Sequence, residues 1–583
     1  MKSTVTQLGA AESKKNFTWI DLVVLIGVFS LLWSVQHFGR GMIVHFDESQ
    51  SPEISTDIRH IPYYAGRTLL RMWLAFGCSL LFTFGIGYAA ARNRVARSII
   101  LPVLDILQSI PVLGFLSITV TGFIALFPGS LLGVECASIL AIFTGQVWNM
   151  TFGFYHSLVT IPKDMQEVAM NFRLSRLQRF KALEIPASMH SLIWNSMMSF
   201  GGGWFFVAQS EAITVLNKNI KLPGLGSFMA AAVEKGDNHA AIWAIVAMLV
   251  VILASDQLVW RPLLAWADRF KMESIESGQS PQSWLYNILY RAYLFDWIEE
   301  RLILPFSDFY VSIRRKLGSN RVEPSSSSRV PRDWLLKIIG AVIGLWVVYQ
   351  IGIGLIAVIK TLRDQVTWAQ IGNVIWLGML TMGRVILMTI VATLIWTPIG
   401  VWIGSRPKVA RMAQPLVQIF ASFPVNMTFP FVVRFFASSH IGINWGSIFL
   451  MAMGTQWYIL FNVIAGAMVI PTDLKEVART YHLNGWPLWK TLILPAIFPY
   501  WVTGACTAAG GAWNASIVAE LATWGDTTLE ANGLGAYIAE MTRKGDTPMI
   551  ICSIAVMCLF VVLTNKLLWR RLYNFAEKRF HLD

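Results

Sequence analysis

Two acidic residues three positions apart recur in two charged stretches of this chain: Asp164 with Glu167, and Asp473 with Glu476. An acid-x-x-Glu spacing marks the start of a helix, where carboxylates face the positive end of the helix dipole. The chemistry open to such a charged loop is docking onto a partner. Catalytic chemistry finds no footing. The nine histidines form no H-x-x-x-H or Cys/His cluster. Cys78, Cys136, Cys506, Cys552 and Cys558 lie in apolar blocks without metal-ligand spacing, and read as buried packing residues. No metal site is therefore expected. With no G-x-x-x-x-G-K-[ST] loop, the chain cannot cradle nucleotide phosphates in that way.

The two stretches belong to a longer repeat. Residues Ile161–Pro186 and Ile470–Pro495 are identical at ten of 26 positions, at a constant offset of 309. Average composition would give about two. The same offset pairs Gly202 with Gly511, Trp204 with Trp513, Glu211 with Glu520, and Gly224-Leu225-Gly226 with Gly533-Leu534-Gly535. Upstream the offset becomes 313, pairing Arg71 with Arg384 and Ser109-Ile110-Pro111 with Ser422-Phe423-Pro424. This is a duplication with both copies in the same order.

The elements that carry these residues are apolar and long. The 583-residue chain is 55% hydrophobic and 14% charged, against about 25% charged in soluble domains. Blocks such as Met72–Ala91, Ile242–Val259 and Ile338–Ile359 match the ~20 residues that span a bilayer. The reading is an all-α polytopic membrane protein. It has two tandem six-helix units, about 12 spans, related as a parallel pseudo-two-fold repeat. The spans expected are 19–36, 69–91, 99–126, 131–160, 187–213 and 240–260, then 334–359, 373–404, 412–436, 445–469, 496–523 and 549–569. The first reads as an uncleaved span rather than a signal peptide, because its apolar run is long. The expected domains are an N-terminal span and outer loop (1–64), a first unit (65–260), a linker (261–332), a preceding span (333–372), a second unit (373–572) and a tail (573–583).

The net charge of +13 sits in short loops between spans, which fits cytoplasmic loops facing anionic lipid rather than nucleic acid. Arg92, Arg94 and Arg97, Arg406, Lys408 and Arg411, the two repeated loops and the basic tail all share one side if both termini are cytoplasmic. The linker mixes Trp284, Tyr286, Tyr290 and Trp297 with Arg291 and Arg301. It reads equally as an interfacial helix or as a small helical hairpin on the bundle.

A path between the halves would run beside the fifth spans. Gly202, Trp204, Gly511 and Trp513 are its candidate lining, with Asn195, Gln209 and Asn514 as polar groups beside it. Small residues at these positions equally suit helix packing alone. Glu211 and Glu520, near the outer ends of the fifth spans, read as braces for the loop that follows, not as contacts for an anion.

The repeated stretch resembles the EAA loop of integral-membrane subunits of ABC importers, with pattern E-A-A-x-x-x-G-x(9)-I-x-L-P. Glu167, Ala169 and Pro186 fall on family positions in the first half; Glu476, Ala478, Leu494 and Pro495 do so in the second. The closer resemblance is to permeases of the nitrate/sulfonate/taurine/bicarbonate branch, over roughly 65–260 and 378–570. The resemblance implies a coupling helix in each loop, docked on one of two ATP-binding subunits. Leu174, Leu483 and Gly485 join the coupling residues on this basis. It places ATP and Mg on those partners and no cofactor on this chain. It adds a substrate-binding protein as a partner, the bacterial inner membrane as location, and a small anion as cargo. The family glycine is replaced by Arg173 and His482, and Gly485 is expected to move the bend by three residues in the second copy. Two rivals remain: a self-contained secondary transporter, against which stands the lack of an acid cluster within the spans, and a membrane scaffold acting through its linker.

Overall fold

The computed structural model describes residues 19–46, 53–270, 283–292, 301 and 346–579, apart from 109, 216–217, 347–348, 351, 355, 441 and 525–526. The first half begins with α1 (Trp19–Arg40) and α2 (Ile61–Phe82), which continues through a π-helical turn into α3 (Tyr88–Arg92). Next come α4 (Arg94–Gln108), α5 (Val112–Leu126) and α6 (Leu132–Val159), then the short α7 (Lys163–Asn171) and α8 (Arg176–Arg179). The long α9 (Ile185–Ser210) leads into a hairpin of β1 (Ala212–Val215) and β2 (Lys218–Lys221), then α10 (Leu225–Glu234), α11 (Asn238–Ser255) and α12 (Arg261–Ala267).

The second half repeats this order with the sequence offset preserved in the backbone. β3 (Leu521–Trp524) pairs antiparallel with β4 (Thr527–Glu530), each 309 positions after its counterpart. π-Helical turns at Phe180–Glu184 and Asp256–Trp260 return at Trp489–Ile493 and Asn565–Trp569. One extra residue in such a turn offsets the helix face. Its recurrence shows that the duplication preserves local geometry as well as residue types.

The structure bears on four expectations. Twelve spans were anticipated; among the described residues seven helices are long and apolar enough to cross a membrane, or nine with the bent pairs. The anticipated span 334–359 lies largely outside the described residues. Helices α6 and α9 stand outside that set, and they turn Glu135, Gln146, Ser196 and Ser199 inward. Second, 99–126 and 412–436 are not straight spans. Helix α4 meets α5 at 88°, and Pro407–Ser422 meets Val425–Ser438 at 73°. Pro111 and Pro424 explain the breaks, since proline removes a donor and forces its predecessor out of helical geometry. Phe423, before Pro424, is extended. Third, the fifth helices end at Ser210 and Ala519 and pass into the two hairpins, so the fold is not purely helical. Fourth, Cys78 is exposed on α2; of the other cysteines Cys552 is buried and the rest are half-buried.

The linker helix α13 (Trp284–Arg291) starts at Ser283, whose hydroxyl accepts from the Tyr286 amide, and it packs on α12 and α1. Arg269 lies over the rings of Trp266 and Tyr286. The rest of the linker lies outside the described residues.

The bent helices interlock the halves. Val112, Leu113, Leu116 and Val120 of α5 bury into the core cluster built mainly from the second half. Met427, Phe423 and Phe431, from the second half's break and the helix after it, join the first half's cluster. In a bilayer this interdigitation gains van der Waals contact rather than hydrophobic transfer. The outward faces stay apolar: Phe29, Leu32 and Trp33 of α1 are exposed, as lipid-facing residues are.

Candidate functional site

The repeated loops fold as helices α7 and Thr472–Thr480, with Asp164 and Asp473 in their first turns. Each ends in the same cap. The Leu174 amide donates to the Ala169 carbonyl at 3.1 Å and the Arg173 amide to Met170 at 2.8 Å. In the second loop Leu483 donates to Ala478 at 2.9 Å and His482 to Arg479 at 2.9 Å. This pair of bonds is a Schellman cap, which needs a left-handed residue at its turn. Arg173 (φ 50°) and His482 (φ 52°) supply it in place of glycine. The bend is therefore not moved by Gly485. That residue, at φ 59°, adds a second turn before Trp486. A left-handed non-glycine residue costs about 1 kcal/mol. Arg173→Gly and His482→Gly should each raise thermal stability by about that amount; an unchanged unfolding midpoint would count against the cap.

Ala169 and Ala478 are buried, while Glu167 and Glu476, two residues earlier and so on the opposite face of the helix, are exposed. Each alanine seats its helix on its own half and leaves the carboxylate outward. Leu174 and Leu483 are half-buried. Pro186 and Pro495 sit in the first turns of the fifth helices, where a missing N–H costs nothing.

At the other end of the fifth helices, Glu211 and Glu520 are fully buried. The Glu211 carboxylate accepts from Thr68 (2.7 Å), from Arg71 (2.7 Å) and from the Gly226 amide (2.7 Å). Its carbonyl accepts from the Leu222 amide at 2.8 Å. Glu520 repeats this with Thr381 (2.8 Å), Arg384 (2.8 Å), the Gly535 amide (2.8 Å) and the Ala531 amide. In the first half the carboxylate thus ties α2, α9 and α10 together. The repeated Gly-Leu-Gly also gains a reason. A Cβ on Gly224 would overlap the Glu211 carboxyl, and one on Gly226 would overlap the Ala208 carbonyl. Sequence reasoning found Glu211 and Glu520 but missed Thr68, Thr381 and Glu135. The offset that aligned Arg71 with Arg384 also aligns the two threonines.

The halves differ beside this brace. In the first, Glu135 accepts from Arg71 at 2.5 and 2.8 Å and from Arg67. In the second, Leu380 replaces Arg67 and Asn444 replaces Glu135. Asn444 accepts from Arg384 through its side chain (2.8 Å) and its carbonyl (3.2 Å). One positive and one negative charge are lost together, so each cluster stays neutral.

The candidate path residues divide. Gln209 accepts from Asn426 at 3.1 Å, and Asn514 accepts from the Val112 amide at 2.9 Å. Each half's fifth helix thus holds the proline break of the other half. Gly202 faces Tyr458, and Gly201 stands against Ser422, so α9 closely approaches the second half. Gly511 faces Thr455 and Tyr458 within its own half. Trp204 and Trp513 are buried in this structure, 1% and 2% exposed. Trp204 packs edge-on to Phe200 and Trp513 stacks on Phe560. Asn195 turns back to Ser191 on its own helix and lies against Gly153. Among the described residues, no group of three or more His, Cys, Asp or Glu side chains could hold a metal ion.

The duplicated loop and break recur in two segments, 82–259 and 396–581. Both segments match the family described as "Binding-protein-dependent transport system inner membrane component". The chain belongs to this family. It is a multi-pass membrane component with the family's domain duplicated in one polypeptide, and the family is non-catalytic. Among relatives, it is 27% identical to the nitrate import permease protein NrtB of Leptolyngbya laminosa over 192 residues, 33% of this chain and 65% of that protein. It is 31% identical to the putative aliphatic sulfonates transport permease protein SsuC of Escherichia coli (strain K12) over 157 residues, 27% of this chain and 55% of that one. It is 26% identical to the bicarbonate transport system permease protein CmpB of Synechococcus elongatus over 179 residues, 31% and 61% of the two chains. Each match therefore spans less than two thirds of the relative's length.

Proposed function

We propose that this chain is the membrane-spanning component of an ABC importer, supplying both halves of the permease in one polypeptide. The observation that carries this reading is the pair of capped loop helices with matching geometry, each seated by a buried alanine and presenting an exposed glutamate. Residues 65–260 and 373–572 form the two units, both termini are cytoplasmic, and each loop docks on one of two ATPase subunits. Glu167, Ala169, Leu174 and Pro186, with Glu476, Ala478, Leu483, Gly485 and Pro495, form the coupling elements. ATP and Mg are held by the partners. A substrate-binding protein delivers the cargo, which is a small anion of the kind named for the relatives: nitrate, a sulfonate or bicarbonate. The path runs between the halves, past Gly202, Gln209, Gly511 and Asn514, with the proline breaks at its edge.

The test is reconstitution of the chain with its ATPase and binding protein. Glu167→Lys with Glu476→Lys should abolish substrate-stimulated ATP hydrolysis and uptake of a labelled anion. Undiminished stimulation in this double variant would overturn the coupling role. Uptake by the chain alone, driven by an ion gradient without ATP, would overturn the importer reading.

A further inference from the structure

The two docking loops share a backbone but not a surface. Val168 and Val477 are both about half exposed and equivalent. Beyond them the loops diverge. Phe172 is 75% exposed and its counterpart Tyr481 is also 75% exposed; Leu177 is 51% exposed, whereas its counterpart Trp486 is 70% exposed. The extra left-handed turn at Gly485 comes directly before Trp486. In the first loop the chain instead restarts through Ser175 and Gln178, whose side chains and amides bond reciprocally at 2.9 and 3.4 Å.

Charge separates the loops as well. Exposed Lys163 and Arg173 of the first loop correspond to Thr472 and His482 in the second, and in the reverse sense Gln166 and Met170 correspond to Lys475 and exposed Arg479. Over the whole stretch the first loop carries five basic residues, with Arg176, Arg179 and Lys181, and the second three, with Lys490. The supports differ too. Buried Glu184 pairs with Arg92 and Arg179 behind the first loop. The corresponding residues in the second half are Ile493, Ser405 and Leu488. One loop is thus an apolar ridge in which flexible Met165 and Met170 join Val168, Phe172 and Leu177, with a basic rim and ions bracing it from behind. The other is an aromatic pair with fewer charges.

We infer that the two ATPase subunits are gripped unequally: the second loop is the principal anchor, through Tyr481 and Trp486 in an apolar cleft. The first is a weaker, salt-sensitive contact whose basic rim meets acidic groups on its subunit. Exposed tyrosine and tryptophan are the side chains that dominate interfaces, whereas exposed charge pairs contribute little and are screened by salt. This inference rests on the importer reading above.

The experiment immobilises the full chain in detergent and measures retention of its ATPase. Tyr481→Ala with Trp486→Ala should weaken retention on the order of 30-fold or more. Phe172→Ala with Leu177→Ala should weaken it by less than about tenfold. What remains in the first variant should fall further as salt rises from about 0.05 to 0.5 M, and Tyr481→Phe with Trp486→Phe should restore most of the grip. All four residues are exposed, so unfolding midpoints of the chain alone should stay unchanged. Equal losses from the two pairs, or a larger loss from the first loop, would overturn the unequal grip while leaving the importer reading intact. If the unmodified chain retains no ATPase, the importer reading itself falls, and the unequal grip with it.

Discussion

Arg67→Leu and Glu135→Asn, each made alone, should cost the folded chain about 3–5 kcal/mol, yet together should cost little. The reasoning starts from charge. Arg67, Arg71, Glu135 and Glu211 are all buried, two positive against two negative. Arg67→Leu leaves Arg71 between two carboxylates, and Glu135→Asn leaves two guanidiniums with Glu211 alone. Each single change strands a buried charge, which is far more costly than removing a neutral pair. The second half already carries the paired solution, with Leu380 and Asn444 around Arg384 and Glu520. The asparagine keeps accepting from the arginine, so no donor is left open. Unfolding of the four proteins in detergent closes a double-mutant cycle. With two singles at about 3–5 kcal/mol each and a nearly neutral double, the expected coupling is about 6 kcal/mol or more. Additive single effects would show that the first cluster is not held by charge balance.

The repeat made much of this legible in advance. One offset, 309, located the loops, the Gly-Leu-Gly segments and the paired glutamates without any structure. Glutamates deep in apolar sequence must find donors, so a bracing role for Glu211 could be argued from burial alone. Their donors could not be named, because Thr68 and Arg71 are distant in sequence and reach Glu211 only through the fold. The breaks at Pro111 and Pro424 had a local signal that a continuous span reading overrode. Hydropathy does not distinguish a straight helix from two that turn at a proline, since both bury the same apolar residues. The indoles of Trp204 and Trp513 carry a related ambiguity. A conserved offset between copies marks shared packing as readily as a shared path, and both rings serve the packing. At Arg173 and His482 residue type argued against a left-handed bend, but the Schellman bonds of Leu174 and Leu483 demand it.

Gly226→Ala should be among the most destabilising single changes, costing about 3 kcal/mol or more. A Cβ there would meet the Ala208 carbonyl, a backbone atom of α9 that cannot rotate aside; at Gly535 it would stand 2.5 Å from the Ser516 carbonyl carbon and oxygen. Relief requires α10 to retreat from α9. That motion would lengthen the bonds from the Gly226 amide to Glu211 and from the Leu225 amide to Thr68. Glu211 would then lose a donor while remaining buried, adding a polar penalty to the steric one. Gly236→Ala is the control. It lies just after α10, at the helix's other end from Gly226, at φ 64°, and has no atom within 4 Å of its would-be Cβ. It should cost only the left-handed backbone penalty, about 1 kcal/mol. Unfolding midpoints of the two variants decide the matter, and Gly535→Ala should follow Gly226→Ala, since both halves use the same close approach. A Gly226→Ala protein no less stable than Gly236→Ala would mean that α10 can move away without loss. The buried carboxylate would then not be what fixes α9 to its neighbours.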